Sequence, residues 1–229
     1  MKIAVLIPCL NEEQTVAKVV QDFKKELPDA DIYVYDNNST DKTYQLAQDA
    51  GAIVHLCEER GKGNVLRQMF LDITADCYLI VDGDDTYPAQ DCMYLIEPVM
   101  NQECDMSVGN RFIDGSYDKE NTRKFHGFGN RLVKFMINQI YSTQVDDVMS
   151  GYRVLSKDFV GNLKLTSNYF QVETEITMYA LHHKFLIKEV AVNYRNRPVK
   201  SQSKLNTFRD GFKILSFIFM YFIKAKKRF

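Results

Sequence analysis

The residues best suited to chemistry in this chain are Asp82 and Asp84, two carboxylates separated by Gly83 directly after the apolar run 77–81. A buried strand that ends in carboxylates places hard oxygen ligands at the edge of a sheet, where a divalent cation can join them to nucleotide phosphates. Asp and Gly also build ordinary turns at strand ends, so this tripeptide alone is a weak signal. The spacing points to metal-assisted chemistry on a nucleotide-activated substrate.

Apolar runs alternate with segments of helical spacing through the first half of the chain. The sequence predicts strands at 3–7, 32–35, 52–55 and 77–81, and helices at 12–27, 42–50 and 61–74. Asn11 is expected to cap the first helix. This alternation is typical of a parallel sheet with right-handed crossovers, which binds ligands beyond the carboxyl ends of its strands.

Polar clusters follow three of these strands, and the second half of the chain is less regular. The clusters lie at 8–12, 36–41 and 82–86, and they describe one site because the carboxyl ends of parallel strands share one sheet edge. Further along, the sequence predicts strands at 106–111 and 186–192, helices at 127–141 and 170–182, a polar loop at 146–153 and a basic loop at 193–204. The predicted fold class is α/β, with a mostly parallel central sheet flanked by helices.

Composition excludes several classes of function. The chain has 229 residues and a formal net charge of -1, so it can form one substantial domain and lacks the basic field of a nucleic-acid binder. Its five cysteines are odd in number and have no zinc-like spacing, which favours reduced thiols in the cytoplasm. No two of the four histidines have H-E-x-x-H spacing. The first eight residues are broken by a proline too early to be a signal peptide.

Six short motifs follow one another along the chain. They are Pro-Cys-Leu-Asn-Glu at 8–12, an Asp-rich turn at 36–41, Asp-Gly-Asp at 82–84, Gly-Asn-Arg-Phe at 109–112, Asp-Val-Met-Ser-Gly-Tyr-Arg at 147–153 and Ser-Lys-Leu at 203–205. In this order they resemble family 2 glycosyltransferases, and most closely the dolichol-phosphate mannose synthases and their bacterial polyprenyl-phosphate relatives. The resemblance covers the chain from the first strand to about residue 205, and six motifs in order make it specific.

The resemblance implies a GT-A fold, a nucleotide-sugar donor and a divalent metal, Mg²⁺ or Mn²⁺. Asp82 and Asp84 match the family's D-x-D motif, with Asp84 as the direct metal ligand and Thr86 close enough to add an oxygen. The other donor-binding positions that it implies are Pro8, Leu10 and Glu12 for the nucleoside, Asp36 for the base or ribose, and Arg195, Arg197 and Lys204 for the diphosphate. Arg111 and Arg123 match arginines that hold phosphate near the acceptor.

Two acceptors remain open from the residues themselves. A hydroxyl acceptor needs a carboxylate to remove its proton, and Asp147, or less favourably Asp146, is the candidate general base. A lipid phosphate carries negative charge already, since its second pKa lies near 6, and needs arginines more than a base. Arg111 and Arg123 suit that second case because a guanidinium group matches the geometry of phosphate.

Two further features near the motifs are interpreted as structural. Glu173 lies at a predicted helix start, where a carboxylate favours the helix dipole without any catalytic role, although it also resembles a recurring acidic element of the family. The segment 61–63, Gly-Lys-Gly, lacks the full spacing of a phosphate-binding loop and is interpreted as a turn that opens a helix near the donor site.

The end of the chain is a separate segment in this interpretation, with a catalytic domain at 1–205 and an apolar, basic helix at 206–229. Residues 214–223 are apolar nearly all round but too short to span a bilayer core. With Lys224, Lys226, Lys227 and Arg228 following, the helix is expected either to lie on an anionic membrane surface or to pack on the protein.

These observations predict an inverting, metal-dependent glycosyltransferase that moves a hexose or N-acetylhexosamine from a UDP- or GDP-sugar to polyprenyl phosphate. The alternative is a soluble family 2 enzyme that glycosylates a glycan or protein hydroxyl with Asp147 as base. We expect a cytoplasmic protein, peripheral on the cytoplasmic face of the membrane, with no nucleic-acid partner. The sequence leaves the oligomeric state open and allows a homo-oligomer.

Overall fold

A computed structural model of the protein describes residues 1–113, 126–198, 204 and 207–226. The strands are β1 (Ile3–Cys9), β2 (Asp31–Asp36), β3 (Ile53–Leu56), β4 (Cys77–Ile80), β5 (Met106–Asn110), β6 (Arg153–Ser156) and β7 (Ile187–Ala191). The helices are α1 (Val16–Glu26), α2 (Thr43–Asp49), α3 (Lys62–Asp72), α4 (Cys92–Met100), α5 (His126–Tyr141), α6 (Lys157–Asn162), α7 (Val172–His182) and α8 (Thr207–Lys226), with a 3₁₀ turn at Ala89–Asp91.

The strands form one seven-stranded sheet in the order β3-β2-β1-β4-β6-β5-β7. The first four strands pair in parallel, β5 pairs in parallel with β7, and β6 runs antiparallel to both β4 and β5. Strand β4 is buried along its whole length, as expected for a sheet covered on both faces. The predicted α/β class with a mostly parallel sheet is confirmed.

Three clusters of apolar side chains hold the layers together. One lies on the face of the sheet covered by α1 and α4, and includes Phe23 and Leu95. The second lies on the opposite face under α3 and α7, and includes Met69 and Ile176. The third joins α5, α7 and α8 beyond the sheet, around Ile137.

One local expectation from the sequence was wrong, and the strand β6 was not predicted. The predicted polar loop at 146–153 is a loop as far as Tyr152 and leads into β6, a four-residue strand that begins at the fully buried Arg153. Asn11 does not cap α1, because that helix begins only at Val16, after a turn. Asn11 instead adopts a positive φ of 53°, and its Oδ1 accepts a hydrogen bond of 2.8 Å from the backbone N–H of Thr40.

Helix α8 packs one face on the protein and exposes the other. Ile214 and Ile218 are buried in the third cluster, against α5 and α7. On the opposite side, Phe212 and Phe219 are 73% and 62% exposed. Within the described residues no helix combines the length and the apolarity needed to cross a membrane. The buried face of α8 agrees with the expectation that this helix packs on the protein. Its exposed face is still available for the contact with a membrane surface that was the other expectation.

Candidate active site

Acidic side chains follow β1, β2 and β4 at the carboxyl edge of the sheet. Glu12, Asp36 and Asp84 are 7%, 2% and 2% exposed, and each comes just after or at the end of its strand. Arg197 reaches both Glu12, at 3.7 Å from its Oε1, and Asp84. The predicted convergence of strand ends therefore brings these carboxylates into one buried acidic site.

Asp84 is held from both sides. Its Oδ1 accepts hydrogen bonds from the hydroxyl of Thr86 at 2.6 Å and from the Thr86 N–H at 3.1 Å, while its Oδ2 forms an ion pair with Arg197. Burial and then the neighbouring charge of Asp82 raise the pKa of Asp84. The site thus concentrates negative charge that a bound cation would stabilise. The hydroxyl of Thr86 orients Asp84 here, and its expected contact with a metal stays a prediction.

Lys62 lies between two carboxylates in the same site. Its Nζ is 2.5 Å from Asp82 Oδ1 and 2.5 Å from Glu173 Oε1, and the Lys62 and Glu173 side chains are each only 10% exposed. Burial alone would lower the pKa of Lys62, but the two carboxylates raise it well above its usual range. For Asp82, burial acts to raise the pKa, but Lys62 first, and then Arg197 and Arg111, more than offset it, so the pKa is lowered. Lys62 therefore keeps Asp82 ionised.

Two glycines explain how a lysine comes to lie in this position. Gly61 has a φ of +126°, and a Cβ on it would lie 2.1 Å from the carbonyl oxygen of Asn168. A Cβ on Gly63 would lie 2.1 Å from the carbonyl oxygen of Ser167. That loop is fixed by the buried Glu175, whose carboxylate accepts hydrogen bonds from the N–H groups of Thr166 and Ser167. The close packing aims Lys62 at Asp82.

The 61–63 segment contributes more to the site than its sequence indicates. The 61–63 turn does open α3, but Lys62 is a buried member of the site, and Glu173 is its ion-pair partner as well as a first-turn residue of α7. The positive charge of a lysine at the start of a helix is unfavourable, because it lies at the positive end of the helix dipole. This conflict is the one signal in the sequence that could have indicated acidic partners for Lys62.

Cations from the segment predicted as a basic loop lie against the acidic site. Lys204 Nζ is 2.6 Å from Glu12 Oε1 and donates to the carbonyl oxygen of Asn11 at 2.7 Å. Arg197 contacts Asp84 and Glu12, whereas Arg195 pairs at 3.4 Å with the neighbouring Asp85 and is 41% exposed. Of the two arginines expected to hold the diphosphate, Arg197 is the one inside the site.

The expected nucleoside-binding residues lie along the ends of β1 and β2. Pro8 is aligned with Tyr35 in the sheet, and Leu10 follows β1 half-buried. Both carboxylate oxygens of Asp36 accept hydrogen bonds from Ser39, which shapes the turn after β2. The roles of Pro8, Leu10 and Asp36 toward a base or ribose stay predictions.

On the other side of the site, Arg111 and Asp147 form a buried ion pair. Arg111 Nε is 2.7 Å from Asp147 Oδ2, and Nη2 is 2.8 Å from Oδ1. The Arg111 N–H also donates to Oδ2 at 3.1 Å, and Asp147 is 1% exposed. Both oxygens of the candidate general base are therefore occupied by Arg111. Asp146, the less favoured base, forms an exposed ion pair with Lys134, and Arg123 lies outside the described residues.

A second carboxylate, which the sequence interpretation did not single out, supports this pair from the adjacent strand. Glu189 of β7 accepts hydrogen bonds from the N–H of Asp147 at 2.7 Å and from the N–H of Asp146 at 2.9 Å. Burial raises the pKa of Glu189, and these two N–H groups partly offset the effect. The backbone at 146–147 is thus fixed, and with it the position of Arg111. No sequence signal marks Glu189, because only the pairing of β5 with β7 brings it there.

The acidic site fits a divalent cation that takes part of its ligands from a substrate. In the described part of the chain, no three Asp, Glu, His or Cys side chains are grouped to hold a metal on their own. Asp82 and Asp84 offer two carboxylates, and Mg²⁺ is commonly bound by one or two carboxylates together with substrate phosphates. Asp82 and Asp84 would hold the cation.

Known glycosyltransferases are similar to this chain along most of its length. A glycosyltransferase, AglJ of Haloferax volcanii, is 33% identical over 213 residues, which cover 91% of this chain and 68% of that protein. The dolichol-phosphate mannosyltransferase of Pyrococcus furiosus is 24% identical over 218 residues, and this chain spans only 59% of its length. Both matches cover nine-tenths of the chain, so the likeness includes both sides of the site.

Solved structures share the fold. Glucosyl-3-phosphoglycerate synthase from Mycobacterium tuberculosis, in complex with Mn²⁺, UDP and glucosyl-3-phosphoglycerate, superposes with a TM-score of 0.77 at 18% identity. The match covers 96% of this chain and 79% of that one, and it confirms the expected GT-A fold. The family described as glycosyl transferase family 2 matches residues 4–163. The chain therefore belongs to glycosyl transferase family 2 and is a nucleotide-sugar-dependent glycosyltransferase.

Proposed function

We propose that the protein transfers one hexose or N-acetylhexosamine from a UDP- or GDP-sugar to a polyprenyl phosphate, with inversion at the anomeric carbon and with Mg²⁺ or Mn²⁺ bound at Asp82 and Asp84. The α-linked diphosphate leaves in a direct displacement, and the sugar becomes β-linked to the lipid phosphate. The reaction takes place at the cytoplasmic surface of the membrane.

The observation that carries this proposal is the Arg111–Asp147 pair. A general base needs a carboxylate oxygen within reach of the acceptor hydroxyl. Both oxygens of Asp147 are bound by Arg111 instead, and the residue is 1% exposed. A phosphate acceptor has no need of a strong base, because its oxygen is already charged near neutral pH. Arg111, held in one orientation, suits the binding of such an anion.

The donor side of the site is suited to a leaving diphosphate. When bound, a divalent cation supplies stabilisation of the negative charge that develops on that group. Lys204 and Arg197 come from one segment of the chain and already lie against Glu12 and Asp84, within reach of the same position. Lys62 holds Asp82 ionised and in place. These cations complement an anion that arrives together with a metal.

The alternative, a hydroxyl acceptor with Asp147 as base, requires Asp147 to leave Arg111. That change would leave a buried guanidinium without its bidentate partner, which is strongly unfavourable. The relatives also favour a lipid acceptor, since the Pyrococcus protein is named a dolichol-phosphate mannosyltransferase.

Contact with a membrane is supported by the outer face of α8. Phe212, Phe219, Met220 and Ile223 follow one another at i, i+7, i+8 and i+11, and are 73%, 62%, 54% and 38% exposed. This spacing puts all four on one stripe of the helix, opposite the buried Ile214. Four lysine or arginine residues follow in the sequence, at 224 and 226–228. An apolar stripe next to cations fits the interface of an anionic bilayer.

The test is a panel of UDP- and GDP-sugars incubated with the full chain, polyprenyl phosphate and Mg²⁺ or Mn²⁺. Products are scored by mass, and the anomeric configuration by NMR. We expect one donor to give a β-linked sugar-phosphate lipid, with no product when the metal is chelated. Transfer to a glycan or protein hydroxyl, with no lipid product from any donor, would overturn the proposal.

A further inference from the structure

Tyr194 lies between the donor side and the acceptor side of the site. It follows β7 in the segment at 193–198, which also carries Arg195 and Arg197. The guanidinium carbon of Arg111 lies over the Tyr194 ring, 5.5 Å from its centroid. None of the six sequence motifs includes Tyr194, so its contact with Arg111 is visible only in the folded chain.

The backbone on both sides of Tyr194 is anchored without the use of its side chain. The N–H of Asn193 donates to the buried carboxylate of Asp91 at 2.8 Å, and the side-chain amide of Asn193 donates to the same carboxylate. On the other side, the N–H of Arg195 donates to the carbonyl oxygen of Thr86 at 2.9 Å. Removal of the Tyr194 ring would therefore leave these anchors in place.

The orientation of the Tyr194 ring is set by two buried tyrosines. The Tyr87 ring meets it edge to face, with the centroids 5.6 Å apart and the planes at 74°. Tyr87 is 3% exposed, and its ring lies 5.2 Å from that of Tyr152, which is fully buried. Aromatic rings in such pairs prefer a defined relative geometry. The core thus holds the Tyr194 ring against Arg111.

Arg111 therefore has two contacts that restrain its guanidinium group. Asp147 binds Nε and Nη2 along one edge, and the Tyr194 ring contacts the group from another segment of the chain. A planar guanidinium can rest on an aromatic ring and still direct N–H groups at an anion. The ring contact is thus compatible with the binding of a phosphate by Arg111.

We propose that Tyr194 is a positioning residue for the transfer reaction, which holds Arg111 in place for the acceptor phosphate through the face of its ring. It joins the acceptor side to the segment that carries Arg197 on the donor side. The inference rests on the proposed function, because it takes Arg111 as the cation that binds the acceptor. The contact requires the aromatic ring and not the hydroxyl group.

Two substitutions of Tyr194 test this requirement by kinetics. Tyr194→Leu keeps an apolar side chain but removes the ring, and it should raise the KM for polyprenyl phosphate about tenfold. The KM for the donor should stay within about twofold, because the backbone anchors of the segment remain, and Tyr194→Phe should keep both values within about twofold. Tyr33→Leu, at a half-buried tyrosine of β2, is the matched control. Equal rises for both substrates, or equal effects of Leu and Phe, would overturn the proposal.

A double variant shows whether Tyr194 acts through Arg111. In an Arg111→Gln background the contact is already lost, so adding Tyr194→Leu should change kcat/KM for polyprenyl phosphate by less than about twofold. A further loss of about tenfold in this background would mean that Tyr194 acts independently of Arg111, and would overturn the positioning role.

An NMR measurement tests the contact without turnover. In the full chain labelled with ¹⁵N-arginine, the Nε–H signal of Arg111 is assigned by its loss in Arg111→Gln. Its proton shift should move in Tyr194→Leu, because the ring current of the tyrosine is lost. The same signal should stay nearly unchanged in Tyr194→Phe and in Tyr33→Leu. An unmoved signal in Tyr194→Leu would show that the ring does not lie against Arg111.

The two proposals fail in different ways. If lipid is glycosylated and Tyr194→Leu matches the Tyr33→Leu control, the positioning role is wrong and the proposed function stands. If no lipid is glycosylated with any donor while the Arg111 signal still moves in Tyr194→Leu, the proposed function is wrong and the contact between Tyr194 and Arg111 stands.

Discussion

The donor side and the acceptor side of the site balance their charges in opposite ways. On the donor side, Glu12, Asp82 and Asp84 are neutralised by cations from separate segments, Lys62 from α3 and Arg197 with Lys204 from the 193–204 segment. On the acceptor side, Arg111 is bound at two nitrogens by Asp147, whose backbone is held in turn by Glu189.

The difference indicates which parts of the site must change partners. In the proposed reaction, a metal held at Asp84 would take the place of the Arg197 ion pair, and Arg197 would then be available to the diphosphate. Arg111 needs no such exchange in the proposed reaction, because its partner Asp147 is buried and the Asp147 backbone is held by Glu189. In the proposed reaction, the donor side therefore exchanges one set of charges for another, whereas Arg111 keeps one orientation.

The largest expected effect is the loss of Asp84. Asp84→Asn keeps the shape but removes the charge that would hold the metal, so kcat/KM should fall about 1,000-fold. Asp85→Asn is the matched control, because Asp85 forms ion pairs only with Lys18 and Arg195 in the described structure and has a φ of 59°, which asparagine tolerates. Steady-state kinetics with titrated Mn²⁺ measure both. Equal losses in the two variants would show that Asp84 has no special role.

Removing the positive charge of Lys62 tests the charge balance of the donor side. Lys62→Met leaves the buried Glu173 and the half-buried Asp82 without the cation between them, and kcat/KM should fall about 10- to 100-fold, as for other groups that orient a metal ligand. Stability should fall as well, by about 3–5 kcal/mol, since a buried ion pair is broken. Adding Glu173→Gln should recover part of both losses. Chemical denaturation and kinetics check this result against Lys18→Met, which removes an exposed lysine.

The variant that combines Lys62→Met with Glu173→Gln shows whether the two side chains act together or independently. Because the two side chains share one buried ion pair, the double variant should lose less stability and activity than the sum of the two single variants. Additive losses would mean that the two side chains act independently.

The smallest effect concerns α8, outside both sides of the site. Replacing Phe212 and Phe219 together by Ser should lower the affinity for anionic lipid vesicles about tenfold, because two exposed apolar side chains are removed from the contact. Stability should change little, since the buried residues of α8 are on its other face. Leu71→Ser is the control, as Leu71 is 76% exposed on α3. Vesicle co-sedimentation measures the difference, and unchanged binding would exclude this face as the membrane contact.

More of the donor side than of the acceptor side could be predicted from the sequence. Parallel strands leave their carboxyl ends at one edge, so the carboxylates after β1 and β4 had to meet there. The burial of Lys62 depends on a loop about a hundred residues away that packs on Gly61 and Gly63, and no local pattern specifies that contact.

The acceptor side depends on pairings that local patterns do not reveal. Strand β6 is short and starts with a charged residue, Arg153, whose burial is possible because its guanidinium donates to Ser150, Val148 and Thr177. Glu189 reaches Asp147 only because β7 pairs with β5. Such contacts come from tertiary structure and override the local preference for a loop.

The proposed reaction depends above all on Arg111 binding a phosphate acceptor while Asp147 orients it. The decisive measurement compares kcat/KM for polyprenyl phosphate in Arg111→Gln and Asp147→Asn, each made in the full chain and checked for folding by circular dichroism. We predict a loss of about 100-fold or more for Arg111→Gln, because a charge-assisted contact to the reacting phosphate is removed, and a loss of about tenfold for Asp147→Asn. Abolition of turnover in Asp147→Asn with near-normal turnover in Arg111→Gln would contradict this assignment of roles and make Asp147 the base.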